Sequence, residues 1–248
     1  MPKKIILLVL LLLLTLAACA PFAKESSNEA VTDEALNEHL AEQSGYVLKS
    51  DVDNINKHLD YTETDLKTIY FAGGCFWGVE AYMQKLYGVY QVTSGYANGD
   101  GVNPSYIDVI SGEDGFAETV KVQYDPDRVS LKSLIDQLFL VIDPTTLNKQ
   151  GNDEGVQYRT GIYYEDDEDA AIVKEAVQNE QSKYDEEVVT EAKPLKNFYR
   201  AEEEHQNYLE KNPNGYCHID LSLLNHFKVD PIPKDEDIVK SLSKKQAE

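Results

Sequence analysis

The run Gly73-Gly74-Cys75-Phe76-Trp77-Gly78 sets a thiol on a glycine-rich turn, with the chain's only tryptophan two residues beyond it. The stretch before it, Thr68-Ile69-Tyr70-Phe71-Ala72, is β-branched and aromatic and reads as a strand. After it, Val79, Tyr82, Met83 and Leu86 recur at helical spacing until Gly88. Cys75 therefore falls where a strand hands over to a helix N-terminus. Unpaired N–H groups and the helix dipole favour negative charge there, which predicts a thiolate stabilised below the ~8.5 of a free cysteine. The plainer alternative is a buried structural cysteine packed beside Trp77.

A second candidate is an acid. Along residues 116–124, Thr119, Lys121 and Gln123 occupy one face and Phe116, Val120, Val122 and Tyr124 the other. Glu118 lies on the apolar face. Lost hydration there raises a carboxyl pKa and keeps the group protonated near neutrality. The alternative is an edge-of-core carboxylate paired with a base such as Arg159. Cys217 follows Pro213-Asn214-Gly215-Tyr216, a turn-forming context. That context suits a resolving partner for a nucleophile better than a rigid staple, although a structural Cys75–Cys217 disulfide is the ordinary reading of two thiols outside the cytoplasm. No Cys-x-x-Cys pair and no histidine cluster offers a metal site, so no metal is expected, and the thiol chemistry described below needs no bound cofactor.

The elements that must position these groups alternate. Val89 to Thr93 reads as a strand, Ile107 to Ile110 as a short one and Phe116 to Tyr124 as a longer one. Asp125-Pro126-Asp127 turns the chain, and Ser130 caps a helix whose apolar face is Leu131, Leu134, Ile135, Leu138 and Ile142. A long loop from Asp143 to Val156 follows, of a length that is often functional. Next come a strand over 158–164, a helix over 167–184, a strand over 188–192 and a last helix over 201–211. The pattern predicts one α+β domain, a mixed sheet with helices packed mainly on one face, and about 155 residues suffice to bury a core.

Gly-Cys-Phe-Trp-Gly resembles the signature of peptide methionine sulfoxide reductases of the A type, and further words follow in family order. They are Asn103-Pro104-Ser105-Tyr106, Gly115-Phe116-Ala117-Glu118, Asp143-Pro144-Thr145, Gln150-Gly151-Asn152-Asp153 and Gln157-Tyr158-Arg159-Thr160. Phe198-Tyr199 with Ala201-Glu202-Glu203-Glu204-His205-Gln206, and Gly215-Tyr216-Cys217, complete the set. The resemblance covers about residues 66–220 and implies a two-layer sandwich. It also implies a reaction in which Cys75 attacks the sulfur of methionine S-sulfoxide, free or within proteins, and Glu118 donates a proton. Cys217 then resolves the sulfenic acid, and a thioredoxin-like dithiol protein reduces the disulfide. A sulfoxide needs an apolar slot for its methyl, for which Phe76 and Trp77 are suited. It needs donors for its oxygen, for which Tyr106, Tyr158 and protonated Glu118 are suited. The motif match alone singles out those two tyrosines among 16, and by resemblance Asp153 contacts substrate. His205 and Glu202 to Glu204 read as structural helix residues. Phe116 and Ile142 stand where the family usually or often has histidine, at positions not assigned to chemistry.

The first residues read as a targeting segment: Lys3-Lys4, an unbroken apolar run, then Leu16-Ala17-Ala18-Cys19. The run falls short of the ~20 residues a spanning helix takes. Small residues ending in cysteine resemble the bacterial lipoprotein box, which implies a signal at 1–18, lipid on Cys19 and an extracytoplasmic protein anchored to the cell membrane. Removing the signal takes the formal charge from −21 to −23. That acidity argues against nucleic-acid partners and leaves membrane attachment to the lipid. Residues 19–65 read as a spacer and covering arm, with Glu34 to Gln43 transiently helical; 66–220 read as the reductase domain and 221–248 as a C-terminal tail. A monomer is expected. Two other classes compete: a cysteine acyl hydrolase with His205 as base, and a lipid-anchored binding module stapled by Cys75–Cys217.

Overall fold

The structure, a computed structural model, describes residues 46–47 and 54–244. The expectations for the signal segment, Cys19 and the helix at 34–43 lie outside the described residues. The chain begins with β1 (Tyr46–Val47), then β2 (Lys67–Gly73), α1 (Phe76–Met83), β3 (Val89–Ala97), α2 (Tyr106–Ser111) and β4 (Ala117–Tyr124). There follow α3 (Leu131–Val141), β5 (Lys149–Gln150), β6 (Asp153–Glu154), β7 (Thr160–Tyr164) and α4 (Asp167–Gln181). The last elements are β8 (Glu191–Pro194), β9 (Phe198–Arg200), α5 (Tyr208–Lys211), β10 (Lys228–Val229) and α6 (Glu236–Lys244).

Six strands form a mixed sheet in the order β8-β7-β2-β4-β3-β9, in which β7–β8 is the parallel pair. Period-2 alternation sorts its side chains. Ile69 and Phe71 of β2 join Val120 and Val122 of β4 under Phe76, Tyr82 and Met83 of α1 and Leu134, Ile135 and Leu138 of α3. Tyr70, Ala72, Ala117 and Tyr163 form a thinner cluster on the opposite face, covered by Phe198 and Leu195. The expected α+β sandwich, with its helices mainly on one face, is the fold observed.

Several local expectations need correction. Residues 107–110 are helical, not a strand. Ser105 Oγ accepts from the Asp108 N–H, and the Asp108 carboxylate accepts from the Ser105 N–H, a capping box that starts α2 despite its β-branched content. The loop from 143 to 156 holds the β5–β6 hairpin, tied back by Gln150, whose side chain bonds both the N–H and the carbonyl of Asp143. Residues 156–158 form a 3-10 turn before β7 begins at Thr160, the helix at 167 ends at Gln181, and the strand at 188 is displaced to 191–194. The single helix expected over 201–211 is a 3-10 turn (Glu203–His205) and α5, separated by Asn207 in the left-handed region at φ 50°. The edge strand β9 before it has no counterpart in the sequence reading.

The C-terminal segment is no loose tail. β10 pairs antiparallel with β1, and Val229, Val239 and Leu242 bury themselves against Ile55 and Tyr87 in a second small core. Beside it Arg128 is fully buried between Asp125 and Asp235, with Nε 2.6 Å from Asp235 Oδ2 and Nη2 2.9 Å from the Asp60 carbonyl. Tyr61 covers the guanidinium at 4.6 Å, and the Tyr87 hydroxyl donates to Asp235 at 2.8 Å.

Candidate active site

The nucleophile turn follows directly from β2. Gly74 sits at φ +84°, a conformation that glycine adopts without strain, and a Cβ there would stand 2.7 Å from Gln150 Cβ. This lets the chain swing from strand to helix in two residues, so that Cys75 becomes the N-cap of α1. Cys75 is 6% exposed. Burial pushes its thiol well up, the Glu118 carboxylate pushes it further, and the Trp77 backbone N–H opposes both. The stabilised thiolate expected from the helix N-terminus is therefore not the resting state. Desolvation of the buried thiol outweighs the favourable Trp77 N–H.

Glu118 is carried by β4 with its side chain toward α1. The register pairs it with Tyr96 of β3, and its Oε2 accepts the Phe76 N–H at 3.0 Å. It is 1% exposed, and burial lifts its pKa to about 8, with the Phe76 N–H opposing and Asp153 adding to the rise. Arg159 does not pair with it; that guanidinium binds Glu191 at 3.1 Å. The carboxyl is thus largely protonated near neutrality and lies one residue's backbone away from the nucleophile.

Tyr106 opens α2, where its own N–H donates to Glu202 Oε1 at 2.8 Å. Its phenol lies beside that of Tyr158, which closes the 3-10 turn before β7. Burial raises both phenols, so each stays a neutral donor, and Glu118, Cys75 and Asp153 are among the groups that act on both. Asp153 comes from β6 and accepts the Tyr216 hydroxyl at 3.0 Å. Phe76 is buried beneath Tyr96 and His205, with ring centroids 5.9 and 5.3 Å away, while Trp77 is half-buried and stacks on Tyr208 at 3.7 Å. Cys217 is half-buried and packs on α1, its Sγ 3.0 Å from where a Gly78 Cβ would stand, and it donates to the Ile219 carbonyl at 3.3 Å. Both thiols are free.

The structure also brings in residues that the sequence reading passed over or placed elsewhere. His205 closes the 3-10 turn Glu203–His205; its ring lies against Phe76, Trp77 and Tyr106, and its Nδ1 accepts the Trp77 indole N–H at 3.2 Å. With that nitrogen occupied and burial lowering its pKa, His205 is a prop for Trp77 and no base for Cys75. Glu202 bridges the Tyr106 N–H and the Tyr96 hydroxyl. Glu80 of α1 is 1% exposed, and its Oε1 has no hydrogen-bond partner among the described residues. Tyr216 and His218, on either side of Cys217, reach Asp153 and the Gly73 carbonyl. In the sequence Tyr216 is marked by the word Gly215-Tyr216-Cys217, and His218 by nothing but adjacency to the cysteine.

A cavity of about 580 Å³ lies away from these groups, lined by Asn56, Tyr61, Gln84, Tyr90, Asn207 and Leu221 among others. Its size does not make it the reactive centre, because none of the perturbed acids or thiols lines it. Among the described residues no group of three or more His, Cys, Asp or Glu could hold a metal ion. What remains is a buried thiol, an acid whose pKa is raised, two phenols and a second thiol gathered round one helix N-terminus. The set is suited to delivering a proton to an oxygen while sulfur attacks its neighbour.

Comparison with known proteins adds to this geometry. The profile of the family described as peptide methionine sulfoxide reductase matches residues 67–235. The peptide methionine sulfoxide reductase MsrA of Clostridium acetobutylicum is 55% identical over 159 residues, spanning 64% of this chain and 98% of that protein. Among solved structures, the reduced form of Mxr1 from Saccharomyces cerevisiae superposes with a TM-score of 0.60 at 37% identity, covering 70% of this chain and 98% of the other. Methionine sulfoxide reductase A of Corynebacterium diphtheriae gives 0.61 at 35% identity, covering 64% and 80%.

Proposed function

This chain belongs to the peptide methionine sulfoxide reductase family, and from that premise we propose how its residues divide the work. It is a peptide-methionine (S)-S-oxide reductase. The sulfoxide methyl enters the apolar slot beside Trp77, backed by Phe76, and Asp153 contacts the rest of the substrate. Its oxygen meets Tyr106, Tyr158 and protonated Glu118. Cys75 sulfur attacks the sulfoxide sulfur, the S–O bond breaks, and the oxygen passes to Cys75 as sulfenic acid. Methionine leaves with its sulfur reduced by two electrons and Cys75 oxidised by two. Because the resting nucleophile is a thiol, the net proton delivered to oxygen comes from Cys75, with Glu118 as the carrier that gives one and takes one. The observation that carries this reading is Glu118, a buried acid with a pKa of about 8 bonded at 3.0 Å to the N–H next to the nucleophile.

Cys217 resolves the sulfenic acid, and a thioredoxin-like dithiol protein restores both thiols by exchange. Residues 1–18 are a lipoprotein signal and Cys19 carries the lipid, which places repair of oxidised proteins outside the cytoplasm on a membrane-anchored monomer. Residues 19–65 then act as spacer and arm.

Cys217→Ser tests the chemistry. It should release about one methionine per enzyme in a fast first turnover, then stall with a trappable sulfenic acid on Cys75. A folded variant with no first turnover would sink the resolving role. Cys19→Ala tests the anchor: the protein should leave the membrane fraction, and retention with normal processing would refute lipid attachment.

A further inference from the structure

Tyr216 and His218 flank Cys217, and both reach into the loops of the reactive centre. The Tyr216 hydroxyl donates to Asp153 Oδ2 at 3.0 Å. His218 Nε2 lies 3.0 Å from the Gly73 carbonyl oxygen, and its Nδ1 lies 3.9 Å from the same Asp153 oxygen. A carbonyl oxygen only accepts, so Nε2 must carry the hydrogen, which leaves Nδ1 of the neutral ring as a lone pair. That atom is buried with no hydrogen-bond partner, and the side chain is only 5% exposed. The imidazole thus spends its one donor on the backbone immediately before the nucleophile.

The placement of the two side chains explains why that bond matters. Cys217 Sγ is 3.0 Å from where a Cβ of Gly78 would stand, and His218 Nε2 is 2.9 Å from the corresponding point at Gly74. Residues 217 and 218 therefore lie along the turn after Gly73 and the first turn of α1, and Cys75 falls between their two points of contact in the chain. A Cβ at Gly74 or Gly78 would press directly on His218 or Cys217.

We propose that His218 is a positioning residue for disulfide formation: its bond to the Gly73 carbonyl holds the Cys217 segment in register with Cys75. This rests on the reading of Cys217 as the resolving thiol. In that step the Cys217 sulfur attacks the sulfenic sulfur, an S–S bond forms and the S–O bond breaks. The hydroxyl departs as water with the Cys217 proton, so no outside oxidant is needed. The anchor is not required for the first attack, which involves Cys75, Glu118 and the sulfoxide.

Rapid-quench measurements on the full chain with methionine sulfoxide separate the two steps, reading methionine release and the loss of the second thiol. H218A and H218F, which have no donor, should release methionine at the wild-type rate. They should form the disulfide about fivefold to tenfold more slowly, the effect of losing one hydrogen bond of ordinary strength. H218Q, whose amide N–H can reach the same carbonyl, should restore most of the rate. The proposal is overturned if H218A and H218F resolve as fast as wild type, if both steps slow in the same proportion, or if H218Q fails to rescue. Failure of the C217S enzyme to release its one methionine would instead overturn the reading of the site itself, and this role with it.

Discussion

The strand β4 has a buried polar cluster at each end, and the two handle charge in opposite ways. Near its start, Glu118 is enclosed with an N–H and another carboxylate, Asp153, as the neighbours that shift it, and its pKa rises to about 8. Just past its end, Asp125 and Asp235 enclose Arg128. Burial alone would raise Asp235, but the bonds from Arg128 and Tyr87 outweigh it and hold the carboxyl below its ordinary value. Burial alone would lower Arg128, yet the two carboxylates keep it firmly charged. Equal depth therefore does not mean equal purpose. A buried acid without a cation is poised to give up a proton, whereas a buried acid clamped on arginine is an anchor.

Exchanging the character of either cluster breaks the contrast. Glu118→Gln keeps shape and hydrogen bonding but removes the transferable proton, so turnover should fall about 10²–10⁴-fold, the usual share of general acid catalysis. Steady-state assays check this, and the wild-type rate should also decline as pH rises through about 8, a limb the variant lacks. Arg128→Met should instead cost about 3–5 kcal/mol of stability, because it leaves two buried carboxylates uncompensated. Urea denaturation measures that loss, while methionine release per folded molecule should stay unchanged. A matching drop in first-turnover rate would show that the two ends are coupled.

A further effect is a slope. Folded Glu118 holds its proton more tightly than the unfolded chain, so stability falls as pH rises from about 4.5 to about 8. Asp235 acts the other way, since its folded pKa is depressed and its contribution is lost as pH falls through that value. Melting curves of Glu118→Gln across this range should lack the decline that wild type shows. An unchanged slope would mean that the carboxyl is ionised in the folded protein.

How far these groups were legible depends on the range of the interaction that defines them. Glu118 could be read from alternation, because period 2 places it on the apolar face whatever the sheet packs against. Cys75 could be located from the strand-to-helix change, but its protonation could not, since burial of the thiol depends on elements that close over it. Ile107 to Ile110 are helical despite their β-branched content because the Ser105–Asp108 cap, a local signal in the chain, starts a helix there. Arg128 and Asp235 are 107 residues apart, and His218 and Gly73 are 145 apart. No spacing rule connects such pairs, and only the folded chain shows that they meet. The same holds for the C-terminal segment, whose few apolar residues find a core only when β10 reaches β1.

The two edges of the sheet bear on the enzyme's choice of company. On one side β8 has only four residues, Glu191 to Pro194, and ends in a proline that has no N–H to offer; on the other, β9 has only three. Neither edge presents a long row of free backbone groups on which a foreign strand could grow. A reductase that handles oxidised, partly unfolded chains is surrounded by extended peptide seeking partners. Its blunted edges deny those chains a template for aggregation.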